Sequence, residues 1–146
     1  LLGVFSPDWV EPLAHVLSTL GAERAWVVHG HGGLDEISPS GETKVASVEN
    51  GQVTTFTIRP EDGGLPVRPL DEIKGGDAEA NAAALRAVLD GAPGAYRDTV
   101  LLNAGAAFVV AGRAATLGEG VKLAASIIDE GKARERLDRL VAVSNR

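Results

Sequence analysis

The chain has 146 residues, a net charge of −6 and no cysteine; 45% of it is hydrophobic and 23% charged. That balance suits one globular domain with a core of its own. It excludes a disulfide scaffold or thiolate metal site, and an acidic chain without a Lys/Arg block is a poor nucleic-acid binder.

No apolar run approaches the roughly 20 residues needed to cross a bilayer, so no membrane partner is expected, and the lack of cysteine fits a cytoplasmic protein. The chain opens on "LLGVF", without a methionine and already in strand pattern. A strand at a raw terminus predicts that upstream residues have been removed.

In chain order, "LLGVF" reads as a short buried strand. Ser6 is placed to cap a helix with Pro7 at its first position and Asp8 at the positive end of its dipole. Val10, Leu13, Ala14, Leu17 and Leu20 recur at helical spacing, and Gly21 is a natural stop. "RAWVVHG" then reads as a second buried strand. Strand, helix and strand within thirty residues predict a βαβ unit and so a parallel sheet. Ligands of such sheets gather beyond the carboxyl ends of the strands, which is where "GHGGLDE", residues 30–36, begins.

Residues 42–58 predict a hairpin around Asn50-Gly51, with Val48 facing Val53 and Val45 facing Phe56. Residues 59–76 carry proline and glycine punctuation and mark a change of layer or of subdomain. Asp77 predicts the cap of a helix running to about Leu89, with Asn81, Leu85, Val88 and Leu89 on one face. "RDTVLLNAGAAFVVAG" is apolar nearly all round; its length and alanine content favour a helix buried on most sides, and its valines leave a strand as the alternative. Leu117, Val121, Ala124, Ala125 and Ile128 form another stripe that ends at Gly131. Leu137, Leu140 and Val141 mark a last short helix. The fold class is therefore α/β: a partly parallel sheet with a β-hairpin and flanking helices, strand-rich over 1–58 and mainly helical over 77–146, in a single domain.

Asp35 and Glu36 are the leading site candidates. In a loop, adjacent carboxylates can converge on magnesium, which takes one or two of them and keeps waters or substrate phosphates. The bland alternative is a pair of solvated acids in a turn. Gly30, Gly32 and Gly33 would let the backbone turn tightly and let a ligand come close. His29 and His31 have H-x-H spacing and, with Asp35, would suit zinc, but the only other histidine is His15 on the first helix. Gly75 and Gly76 precede Asp77 as a phosphate loop might, yet a capping carboxylate occupies the donors an anion needs. Arg59, Arg68 and Arg97 are candidate anion contacts. Asn81 and Asn103 are expected to hydrogen-bond a neighbouring helix or loop, and Trp9 and Trp26 to pack. No nucleophile–base–acid set, P-loop or Rossmann fingerprint is present.

Several strings in this order carry a resemblance: "GVFSPDWVEPLAHVLSTLGAERAWVVHGHGGLDEISPSGETKV", "RPEDGGL", "GGDAEANAAALRAVLDGAPGAYRDTVLLNAGAA" and "GEGVKLAASIIDEGKARERLDRL". Together they resemble the carboxy-terminal half of the anthranilate phosphoribosyltransferases, most specifically in "VHGxxGLDE" and "RDxVLLNA". The pyrimidine nucleoside phosphorylases are a sister family and fit less well. The resemblance implies transfer of the phosphoribosyl group from phosphoribosyl pyrophosphate to anthranilate in tryptophan biosynthesis. It implies Mg2+ held by Asp35 and Glu36, and the carboxy-terminal portion of a nucleoside phosphorylase/phosphoribosyltransferase-like α/β domain. The family's amino-terminal helical domain, through which members pair as homodimers, has no counterpart here. Nor do the pyrophosphate loop and the anthranilate contacts. Apolar faces around Leu101 and Phe108 are thus expected to be exposed, and the isolated chain inactive. Residue 32 is glycine where relatives are commonly acidic. A non-catalytic scaffold of the same fold is the competing expectation.

Overall fold

The computed structural model describes residues 1–145. A four-stranded mixed sheet lies between two helical layers. Its strands are β1 (Leu2–Gly3), β2 (Arg24–Gly30), β3 (Thr43–Glu49) and β4 (Gln52–Ile58), paired in that order. β1 and β2 are parallel, and the other pairs are antiparallel. The parallel pairing expected of the βαβ unit is confined to β1–β2 among the described residues, so the sheet is partly parallel.

The hairpin has the expected register, with Val48 opposite Val53 and Val45 opposite Phe56. Asn50 and Gly51 both take positive φ (51° and 79°), as a two-residue turn matched to strand twist requires. The order β2–β3 could not be read locally, because residues 31–42 intervene.

Alternation along the strands sends side chains to two cores. On one side Ala25, Val27, Ala46 and Val48 pack against Val10 and Ala14 of helix α1 (Val10–Thr19). On the other, Val28, Val45 and Ile58 pack against Leu101, Leu102 and Ala106 of α3 (Ala95–Val110) and Leu117, Val121, Ala124 and Ile128 of α4 (Leu117–Asp129). Both faces of the sheet are thus covered, which accounts for the near-continuous apolar run of β2. Helix α2 (Ala78–Leu89) and helix α5 (Lys132–Ser144) lie outside this pair.

Several details differ from the sequence reading. Ser6 caps a 3-10 turn, Pro7–Trp9, that leads into α1. Leu20 closes the α1 stripe but is 78% exposed, since it follows the last helical turn. On α2 only Val88 is buried; Asn81 and Leu85 face solvent. On α5 Leu140 and Val141 are exposed, because this helix rests on α4 through its other side. Leu101 is buried and Phe108 half-buried, so the apolar surface anticipated there is covered by α4 and the sheet. Val100, directly before Leu101, is 36% exposed, and the most exposed large side chains lie elsewhere, with Phe5 (76%) foremost near the amino terminus.

Candidate metal site

The acidic pair sits where β2 ends. Gly32 and Gly33 take left-handed φ (80° and 83°) and turn the chain back, so that the Gly30 N–H donates to the Leu34 carbonyl at 2.8 Å. The returning backbone passes over two glycines. A Cβ at Gly3 would lie 1.4 Å from the Asp35 carbonyl oxygen, and one at Gly30 would lie 2.3 Å from that of Glu36. Both acids therefore rest their backbones directly on the ends of the parallel pair β1–β2, an approach only glycine permits. At Gly30 the close approach is made by the chain's own backbone where the sequence suggests a ligand, and Gly3, in "LLGVF", carries no signal of either.

Downstream the chain is anchored. The Ile37 side chain is 1% exposed in the core beneath α3. The Ile37 N–H donates to Asn103 Oδ1 at 2.9 Å, and Asn103 Nδ2 donates to the Ile37 carbonyl at 3.0 Å. Ser38 N–H donates to the buried Thr43 hydroxyl at 3.0 Å. The Arg68 N–H donates to the Pro39 carbonyl at 2.8 Å, while its guanidinium pairs with buried Asp98 at 2.7 Å.

Asp35 and Glu36 themselves face solvent, and no hydrogen bond or ion pair engages either carboxylate among the described residues. Protein atoms crowding Glu36 on its inner side raise its pKa, and the adjacent Asp35 charge raises it further. Two like charges this close repel each other, and a divalent cation relieves both. Two carboxylates are a donor set of the kind Mg2+ takes, completing its shell with water and phosphate oxygens, and no third His, Asp or Glu is gathered with them among the described residues.

The other candidates are occupied differently. A half-buried His29 places Nδ1 2.8 Å from the Val4 carbonyl, so this nitrogen carries the proton and donates it. The His31 ring lies over Gly41. Among the described residues no group of three or more His, Asp or Glu side chains is placed to hold an ion, so the H-x-H zinc arrangement does not assemble. Asp77 caps α2 through the Ala80 N–H at 2.8 Å, as expected. Asn81 ties down the preceding loop through both polar groups of Gly76. Arg59, Arg68 and Arg97 are paired with Glu42, Asp98 and Asp129, while the buried Nη1 of Arg97 has no hydrogen-bond partner among the described residues. Trp26 packs edge-on against Phe56, at a ring separation of 5.4 Å. Trp9 does not pack as anticipated and is 50% exposed.

With this geometry fixed, comparison with known proteins is informative. The sequence model of the "Glycosyl transferase family, a/b domain" matches residues 1–134. The chain belongs to that family. Among relatives in the glycosyl transferase family, the anthranilate phosphoribosyltransferase of Rhodopseudomonas palustris (strain HaA2) is 61% identical over 144 residues, covering 99% of this chain and 43% of that protein. That of Mesorhizobium japonicum is 57% identical over 145 residues, with the same coverage. The crystal structure of anthranilate phosphoribosyltransferase from Thermus thermophilus superposes with a TM-score of 0.88 at 45% identity, over 97% of this chain and 42% of that one. The Saccharomyces cerevisiae enzyme in complex with PRPP and Mg gives 0.84 at 26% identity, over 93% and 40%. The chain thus spans less than half the length of the family members it matches.

Proposed function

We propose that this chain is the metal-holding α/β part of an anthranilate phosphoribosyltransferase. The complete protein would transfer the phosphoribosyl group of phosphoribosyl pyrophosphate to anthranilate, a step of tryptophan biosynthesis. The observation that carries this reading is the adjacent, unpartnered Asp35–Glu36 pair at the end of β2. It occurs in a chain 61% identical to a protein of that name.

The chemistry suits the pair. Cleavage of the ribose C1–O bond leaves positive charge on the sugar ring and negative charge on pyrophosphate. The anthranilate nitrogen then bonds to C1 and gives up a proton. Bound Mg2+ would supply charge neutralisation of the leaving diphosphate. Asp35 and Glu36 would hold it in place, and the glycine-cradled backbone would fix their direction, leaving positioning to do most of the remaining work. No side chain of this segment is required as a nucleophile, which accounts for the lack of a triad. The pyrophosphate and anthranilate contacts are assigned to the rest of the complete protein, as is its pairing into a homodimer.

The test is Asp35→Asn combined with Glu36→Gln in the full-length protein. Phosphoribosyl transfer is expected to fall on the order of 100-fold or more, the scale of losing several kcal/mol of charge stabilisation. Wild-type turnover across a magnesium titration would overturn the assignment. Binding of phosphoribosyl pyrophosphate with no transfer by the unaltered protein would instead favour a non-catalytic scaffold.

A further inference from the structure

We propose that Asn103 is a positioning residue for the acidic pair, an inference that rests on the reading of Asp35 and Glu36 as cation ligands. Its carboxamide grips Ile37, the residue directly after Glu36, by both backbone polar groups at 2.9 and 3.0 Å. One amide thus mimics a paired strand, although Ile37 belongs to no strand. A third bond, from Nδ2 to the Thr99 carbonyl at 3.0 Å, locks the amide against its own helix. The residue lies in the middle of α3, where asparagine is an unfavourable choice for helix propensity alone.

The placement has a directional consequence. Upstream of the pair, Leu34 is bridged to Gly30; downstream, Ile37 is clamped by Asn103. Between these two fixed points the chain has only Asp35 and Glu36, whose carbonyls rest on Gly3 and Gly30. Release of Ile37 would free the backbone torsions of Glu36, and with them the direction in which its side chain leaves the chain. The clamp ties "RDTVLLNA" to "HGHGGLDE", two segments 66 residues apart in their contact. Asp98, in the same motif, reinforces the loop through Arg68 and Pro39. Groups one step removed from a metal commonly control its affinity by orienting the ligands.

The experiment uses Mn2+ as probe, followed by electron paramagnetic resonance on the full-length protein well below its unfolding temperature. Asn103→Ala is expected to weaken Mn2+ binding about tenfold, the scale of losing an orienting partner. A purely structural role would lower the unfolding temperature and leave Mn2+ affinity at the wild-type value, and that result overturns the proposal. The Asp35→Asn, Glu36→Gln double variant separates the two claims. If it binds Mn2+ like the wild type, the acidic-pair reading fails; if it loses Mn2+ while Asn103→Ala does not, only the clamp fails. Amide exchange of the unaltered protein needs no variant. The Ile37 N–H is expected to exchange slowly without metal, and exchange as fast as an open loop would overturn the clamp.

Discussion

Glu36 shows how a single ionisable group reports on the site. Crowding on its inner side and the charge of Asp35 both favour its protonated form in the fold. The ionised carboxylate therefore costs stability at every pH above its raised folded pKa. As pH falls through that value the cost fades, and it is gone below the ordinary glutamate value near 4.5. The metal-free Glu36→Gln variant is thus expected to be slightly the more stable protein at pH 7, the margin kept small by the solvent exposure of the group. At pH 4 the two should melt together. Magnesium should raise the wild-type temperature at pH 7 and not that of the variant. A calorimetric series over pH and magnesium reads all three, and a variant less stable at pH 7 would contradict the electrostatic account. Gly3 supplies a second, steric test. A Cβ there would overlap the Asp35 carbonyl oxygen, so Gly3→Ala must push β1 or the acidic loop aside. A loss of about 3 kcal/mol in urea denaturation is expected, the upper range for overpacking. A near-neutral result would mean that the loop does not rest on β1.

At the scale of elements, α3 is the organising unit. Its apolar character all round follows from its position, with the sheet on one side and α4 on the other. The two helices touch through backbone: a Cβ on Gly120 would lie 2.3 Å from the Gly105 carbonyl, and one on Gly105 would lie 2.8 Å from the Val121 nitrogen. Gly120→Ala must therefore separate helices that meet two residues beyond the Asn103 clamp. A destabilisation of about 2 kcal/mol is expected by chemical denaturation, with faster exchange at the Ile37 amide. Unchanged Ile37 exchange in a destabilised variant would show that α3 holds the loop independently of α4. Elements of this kind were legible from local chemistry. The Asn50-Gly51 turn set the hairpin register, Asp77 set the start of α2, and the Leu117–Ile128 spacing named the buried face of α4. What escaped was long-range. Helical spacing makes Leu20, Leu140 and Val141 look inward, but they are exposed. The partner of Asn103 lies 66 residues away, and no local pattern encodes which loop a helix amide will grip. The acidic pair was visible as residues, whereas its glycine cradle required knowing that β1 and the loop cross.

For the molecule as a whole, the covered and uncovered edges of the sheet decide its behaviour in solution. β1 and β4 are the outer strands. β4 presents mostly threonine side chains to solvent, and polar edges resist pairing with other chains. β1 is only two residues long, and its surroundings are apolar: Leu1, Leu2, Phe5 and Trp9 are 45%, 40%, 76% and 50% exposed within the first nine residues. Surfaces of this kind drive association when nothing covers them. The net charge of −6 opposes close approach only at long range, and salt screens it over about 8 Å at physiological ionic strength. The 146-residue chain expressed by itself is therefore expected to self-associate, more so as salt is raised. Replacing Phe5 and Trp9 together by lysine should suppress this without unfolding the chain, since neither side chain contributes to the two cores. Sedimentation velocity at two protein and two salt concentrations measures it. A monomer in every condition would show that the exposed amino-terminal side chains do not associate, and equal association by the Phe5→Lys, Trp9→Lys variant would move the responsible surface to α5, where Leu140, Val141 and Val143 are exposed.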